Sequence, residues 1–303
     1  MEGNARWLLI TAIAPIAWGA SYWVTAAFLP PDYPLWAAVI RALPGGIVVW
    51  LLSRKLPTGS WWWKSAVLGI LNVGAFFVLV YVAAQLLPSS IATTLMATSP
   101  AVMMFLAWPL LAERPKLLPL VGAILGFVGV CATLLTGTEQ VNLLGAAAAL
   151  TAMMMSSVGY ILTKKWGTDV DVYSQSSWQL IAGGLFVIPF AFALEGAPPA
   201  LGGTELLAFG FLSFIATGLA YVAWFTGLKH LSAGAVGLVG LLNPVAGVLL
   251  GVLVASESLS LLQGAGIAIV LAGILIGQPI VARALQRRKT ASRELELTTS
   301  SAR

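Results

Sequence analysis

The chain has 303 residues, 59% of them apolar and only 9% charged, with a net charge of +5, 31 glycines and 12 tryptophans. That composition lies outside the range of soluble globular domains and makes a lipid bilayer the natural solvent. The basic excess does not form the folded basic face that nucleic acid requires, and Cys131, the single cysteine, excludes an intramolecular disulfide and a cysteine-based metal cluster.

A hydrocarbon core of roughly 30 Å takes about 20 apolar helical residues to cross. Ten windows of that kind run over residues 7–28, 34–52, 64–87, 91–111, 117–136, 143–163, 173–194, 205–228, 232–254 and 259–281. They are apolar around most of their circumference and contain internal Gly and Pro, which fits bundle helices and not barrel strands. The fold class expected is therefore an all-α membrane protein of ten transmembrane helices. The first window exceeds the apolar core of a secretion signal and is kept as a span.

In the first span Trp18 sits at mid-depth, where an indole N–H needs a partner, and Tyr22 lies one turn further on the same face. The pair is read as cavity lining or as packing. In the second span Arg41 is the only basic residue well inside a window, a candidate partner for a substrate carboxylate or for backbone carbonyls. Trp7, Trp36, Trp61, Trp62 and Trp63 fall at window ends and read as interfacial anchors. Pro15 and Pro44 have no counterpart later in the chain.

Asn72, Ser157, Tyr160, Gln179 and Tyr221 are uncharged polar residues at depth. In hydrocarbon they must find hydrogen bonds, so they face the bundle interior, toward either substrate or a neighbouring helix. The run MMMSS at 153–157 adds adaptable thioethers beside hydroxyls. In the fourth and ninth spans Pro100 and Pro244 each remove a helical hydrogen bond, and Ser99 and Asn243 precede them. These two prolines are candidate hinges, and the carbonyls they free are candidate substrate contacts together with Ser99 and Asn243. The fifth span carries VGAILGFVG at 121–129, a small-residue stripe that makes its outer face a candidate dimer contact. The segment RALQRRK, ahead of a Ser/Thr-rich end, reads as a disordered tail held near anionic lipid.

The chain repeats itself. A shift of 144 residues superposes Pro100 on Pro244, Glu113 on Glu257, Gly122 on Gly266 and Gly129 on Gly273. A slightly shorter shift lays RALPGGIVV (41–49) on QLIAGGLFV (179–187), pairing Arg41 with Gln179. Five spans per half is an odd number, so the second half enters the membrane from the other side and its loops change compartment. Arg114 and Lys116 become Ser258 and Ser260, as an inverted duplication requires. Among the ten windows, Lys and Arg outside Arg41 all fall on one side, which predicts both termini in the cytoplasm. The expected organisation is an N-terminal five-helix repeat over 1–138, an inverted repeat over 139–281 and the tail over 282–303.

The 5+5 arrangement, the early WGASY (18–22) and the P-x12-E ends of the fourth and ninth spans resemble the EamA-type branch of the drug/metabolite transporter superfamily. Within that branch the chain is similar to the YddG-type exporters of aromatic and other neutral amino acids. The resemblance implies a helical basket with a midplane cavity between the halves, peripheral fifth and tenth spans, an inner-membrane location and outward transport of neutral amino acids. Glu113 and Glu257, at span ends, read as caps or ties. No Asp or Glu falls at mid-membrane, so no carboxylate proton relay is visible. One basic residue at depth is too few for a sugar-phosphate carrier. The competing readings are a multidrug or other small-metabolite transporter (nucleobase, sugar) and, in a different class, a non-transporting scaffold or membrane enzyme. His230 alone, without a second ligand, gives the enzyme reading no metal or hydrolytic site. No enzyme activity, cofactor, metal or nucleic-acid partner is expected, and the assembly is expected to be a monomer or weak dimer in the bilayer.

Overall fold

A computed structural model describes residues 2–30, 32–87, 89–134, 142–255, 260–278 and 281. Within these, the side chains of residues 2, 3, 22, 26, 84, 85, 89–91, 251, 254 and 255 are not described. Tyr22 as a side chain, Glu257 and the tail over 282–303 therefore lie outside the described residues.

The described chain is helical throughout, with no strand among the described residues. Among the described residues nine helices are long and apolar enough to span a membrane: Asn4–Thr25, Pro34–Ser53, Trp61–Ala83, Ala92–Leu111, Leu117–Leu134, Leu143–Trp166, Val172–Leu194, Gly203–His230 and Ala233–Leu250. A shorter apolar helix, Leu261–Ile276, is the tenth. Helix starts follow local chemistry. Pro34 opens the second span, and Asn142 accepts from the amides of Leu144 and Gly145. Ser260 and Gln263 form a reciprocal capping box.

The packing obeys the 144-residue shift. The first span packs on the eighth as the sixth packs on the third, and the first packs on the ninth as the sixth packs on the fourth. The second and seventh spans pair with each other, and so do the fifth and tenth. The reason is close backbone approach at glycine. A Cβ on Gly122 would strike the Gly273 carbonyl and one on Gly273 the Gly122 carbonyl; Gly129 and Gly266 are related in the same way. The stripe at 121–129 thus buries its glycines against the tenth span, which corrects the dimer-contact expectation. Small residues license close approach without saying to which helix. What the fifth span leaves exposed is apolar, at Val121, Ile124 and Val128.

Two helices are interrupted at equivalent places. The fourth span consists of Ser89–Met96 and Ser99–Leu111, with a turn at 97–98. The ninth consists of Ala233–Gly240 and Leu242–Ala255, and its turn at 241 is where the repeat shift carries residue 97. Each break lies two or three residues ahead of the matched proline, which sits in the first turn of the resumed helix, and the missing proline N–H cannot continue the ladder across it. The two broken helices cross there: a Cβ on Gly237 would lie 3.0 Å from the Pro100 Cα.

The third and eighth spans widen instead of breaking. Ile70–Gly74 and Phe211–Leu219 are π-helical, and the same shift carries 70–74 onto 214–218. A π turn leaves a carbonyl free for a partner outside the helix. Glycines of the paired spans press onto both segments: Gly45 faces the Ser213 carbonyl, and Gly183 faces the Val73 side chain and the Gly69 carbonyl just ahead of its segment.

Candidate functional site

The two π segments meet the opposite half of the molecule at residues related by the repeat. In the eighth span the Ala216 carbonyl accepts from Trp18 Nε1 at 3.0 Å and from Arg41 Nη2 at 3.3 Å, while Arg41 Nε donates to Thr217 Oγ1 at 2.8 Å. In the third span the repeat-equivalent residue is Asn72, whose carbonyl accepts from Tyr221 Oη at 2.7 Å. Its side-chain Nδ2 donates to Gln179 Oε1 at 2.7 Å and to Thr163 Oγ1 at 3.1 Å. Arg41 and Gln179, paired by the shorter shift, thus grip the π segment of the opposite half. Arg41 also lies over the Phe77 ring at 4.9 Å. Its guanidinium is engaged by protein groups in this state, so the backbone-carbonyl role that its depth suggested is present.

An aromatic cluster fills the space between the halves. Trp18 contacts Tyr221 edge-on at 5.8 Å and Trp224 at 5.2 Å; Tyr160 reaches Trp224 at 5.4 Å and Phe225 at 6.2 Å. Edge and tilted geometries of this kind suit ring quadrupoles and leave indole N–H groups free to reach polar partners. Of the residues singled out in the sequence, Trp18, Arg41, Asn72, Tyr160, Gln179 and Tyr221 come together here. Asn72 and Gln179 have no exposed surface and are bound to each other, which ties the third, sixth and seventh spans. Ser157 is buried with its Oγ 3.8 Å from Met153 Sδ. Ser99 and Asn243 stand at the two breaks, half-buried. Pro100 and Pro244 are buried. Trp224 and Thr163 escaped the sequence reading, although Tyr221, Trp224, Phe225 and Leu228 follow helical spacing and all are buried. Trp36, expected at the interface, is buried, with its Nε1 on the Gly196 carbonyl and its ring against Phe192.

Polar ties close both ends of the bundle. On the lysine-bearing face Glu113 Oε1 pairs with Lys164 Nζ at 2.5 Å, Glu113 Oε2 accepts from the Ala233 amide at 2.8 Å, and Lys164 Nζ reaches the Leu231 carbonyl at 2.5 Å. A cavity of about 220 Å³ opens beside this knot, lined by Thr163, Lys164, Gln175, Phe225, Leu228 and Lys229 among others. On the opposite face Glu195 caps the second span through the amides of Leu35 and Trp36, at 2.6 and 2.9 Å. Among the described residues no group of three or more His, Cys, Asp or Glu is placed to hold a metal ion.

Lys55 and Asp171 form an exposed pair at 3.0 Å, and Asp171 also accepts from Ser174 N and Oγ. Partial burial pushes the Asp171 carboxyl up. The hydrogen bonds from Ser174 and Lys55 outweigh it and hold the carboxyl below its ordinary 3.8. A depressed folded-state value stabilises above the unfolded value and loses that contribution as pH falls through the folded one. Asp171→Asn is therefore expected to cost less than about 1 kcal/mol at neutral pH, as for other exposed pairs. The gap in thermal unfolding between variant and wild type in detergent should vanish near pH ~2.

Comparison with known proteins agrees with this architecture. The profile of the EamA-like transporter family matches residues 5–135 and again 143–276. Protein PecM of Dickeya dadantii (strain 3937) is 35% identical over 269 residues, covering 88% of this chain and 90% of PecM. The uncharacterized transporter YvbV of Bacillus subtilis (strain 168) is 26% identical, covering 90% of this chain and 92% of YvbV. The uncharacterized inner membrane transporter YedA of Escherichia coli (strain K12) is also 26% identical, covering 89% of this chain and 93% of YedA. One crystal structure superposes with a TM-score of 0.77 at 19% identity, over 91% of this chain and 99% of the other, a likeness of fold. The chain belongs to the EamA-like transporter family and is a multi-pass membrane transporter of the drug/metabolite transporter superfamily.

Proposed function

We propose that this transporter exports neutral amino acids, aromatic ones included, by alternating access through a site between its halves. Residues 1–138 and 139–281 act as the two inverted repeats, Pro100 and Pro244 as hinges, and both termini face the cytoplasm of a cell whose inner membrane holds the protein. The observation that carries the reading is the aromatic cluster of Trp18, Tyr160, Tyr221 and Trp224 set against the two repeat-related π segments. An indole-rich wall beside the polar groups of the two π segments suits a solute with a flat apolar side chain and a small polar head. Among the described residues the acids lie at span ends and in loops, which favours a solute without net charge and transport without a mid-membrane carboxylate relay.

The reading is tested by counterflow into proteoliposomes preloaded with phenylalanine, threonine, a cationic dye or a sugar phosphate. Exchange of phenylalanine and threonine is expected, with and without an imposed pH gradient. Uptake confined to the dye would replace the amino-acid reading with a multidrug one, and absence of any flux would favour a scaffold.

A further inference from the structure

Of the two helix breaks, one is closed by its own side chains and the other is not. In the fourth span Thr98 Oγ1 donates to the Leu95 carbonyl at 2.7 Å and seals the turn at 97–98. The repeat places Leu242 where Thr98 stands, so the ninth-span break has no hydroxyl to do this. Two polar atoms are left there without a hydrogen-bond partner: the buried Asn243 Oδ1 and the Nε1 of Trp224, whose side chain is only 3% exposed. The Trp224 indole lies against the break through its six-membered ring, because a Cβ added to Gly240 would meet its Cη2 at 3.2 Å. The first span closes the other side. A Cβ on Gly19 would lie 2.6 Å from the Asn243 carbonyl, and neighbouring Trp18 holds its ring 5.2 Å from that of Trp224. The repeat counterpart of Trp224 is Val80, so only the second half sets an indole against its break.

A buried polar group without a partner costs about 1–3 kcal/mol, and in a native structure it needs an explanation such as a ligand that comes and goes. One orphaned donor and one orphaned acceptor at the same break complement a zwitterion, whose carboxylate only accepts and whose ammonium only donates. Resting on the amino-acid reading above, we infer that the ninth-span break holds the substrate's polar head: Trp224 Nε1 donates to its α-carboxylate and Asn243 Oδ1 accepts from its α-ammonium. The side chain of the substrate then lies along Trp18. Arg41, occupied at Ala216 and Thr217, is not required for this contact.

The test uses full-length protein in proteoliposomes, with phenylalanine counterflow and competition by phenethylamine, which lacks the carboxylate, and 3-phenylpropionate, which lacks the ammonium. Trp224→Phe keeps a ring in place and removes the donor. It is expected to raise the KM for phenylalanine about tenfold, the usual range for a lost hydrogen bond to a charged group, and to leave inhibition by phenethylamine unchanged. Asn243→Leu is expected to raise the same KM and to leave inhibition by 3-phenylpropionate unchanged. An unaltered KM in both variants, or equal weakening of all three ligands, overturns the assignment while the amino-acid reading stands. No phenylalanine flux in the wild type overturns that reading, and the assignment with it.

Discussion

Glu113→Ala is expected to open the lysine-bearing face of the bundle and to reduce transport by about tenfold or more, because a single carboxylate there joins three separate parts of the chain. Ala112 ends the fourth span in the left-handed region at φ 57°, which turns the chain back so that Glu113 points inward. One of its oxygens holds Lys164, at the end of the sixth span; the other caps the first amide of the ninth. The Lys164 and Glu113 side chains are 18% and 27% exposed, so water screens the pair only in part. Removing the acid leaves a half-buried ammonium with one carbonyl partner and the Ala233 amide without its acceptor, while Ser232 still caps the Ala235 amide. Together these are worth about 1–3 kcal/mol.

In a two-state transporter that free energy changes the ratio of closed to open forms by roughly 5- to 150-fold. The direct measurement is maleimide labelling of a cysteine placed at Leu228, which lines the adjacent cavity and is 1% exposed, in a Cys131→Ser background. Glu113→Ala should speed labelling by about tenfold or more. Glu113→Gln should fall between, since its amide oxygen still caps Ala233 but no longer carries charge. Labelling at the wild-type rate in both variants would show that the knot holds no gate shut.

Ten spans were legible because each is a long apolar stretch, and the repeat was legible because proline and glycine keep their positions under a constant shift. That shift carried further than the identities that defined it. It places the break at 97–98 onto that at 241, and the π segment at 70–74 inside that at 211–219. Arg41 and Gln179, aligned from a short match, turned out to grip equivalent segments of opposite halves. Partner choice was less accessible. The stripe at 121–129 announced close packing but not the tenth span as its partner, and Trp36 sat at a helix end yet was covered by the seventh span. Trp224 gave no signal by itself, since an aromatic residue in an apolar helix is ordinary. Its meaning lies in a missing hydrogen bond, which only three-dimensional placement reveals. Glu195 illustrates the same limit: nothing local ties it to amides some 160 residues earlier.

Trp18→Ala is expected to lower transport by about a hundredfold or more, against less than about twofold for Trp62→Ala, because the two indoles sit in opposite environments. Trp62 is 62% exposed at the start of the third span. It exchanges one amphipathic surface contact for another when truncated. Trp18 joins the first span to the eighth through the Ala216 carbonyl and forms one wall of the aromatic cluster with Tyr221 and Trp224. Its removal leaves a void of indole size at the meeting point of the halves, a change of about 3–5 kcal/mol if the surroundings do not collapse. Trp18→Phe separates the two contributions. It retains much of the wall but frees the Ala216 carbonyl from one of its two donors, so a loss of about tenfold places the weight on the hydrogen bond, and near-normal flux places it on the ring. Initial rates of counterflow at matched protein density measure all three variants, with thermal unfolding in detergent as the control for folding. Equal rates for Trp18→Ala and Trp62→Ala in folded protein would move the transport path away from the first span and out of the cluster that the two halves build around it.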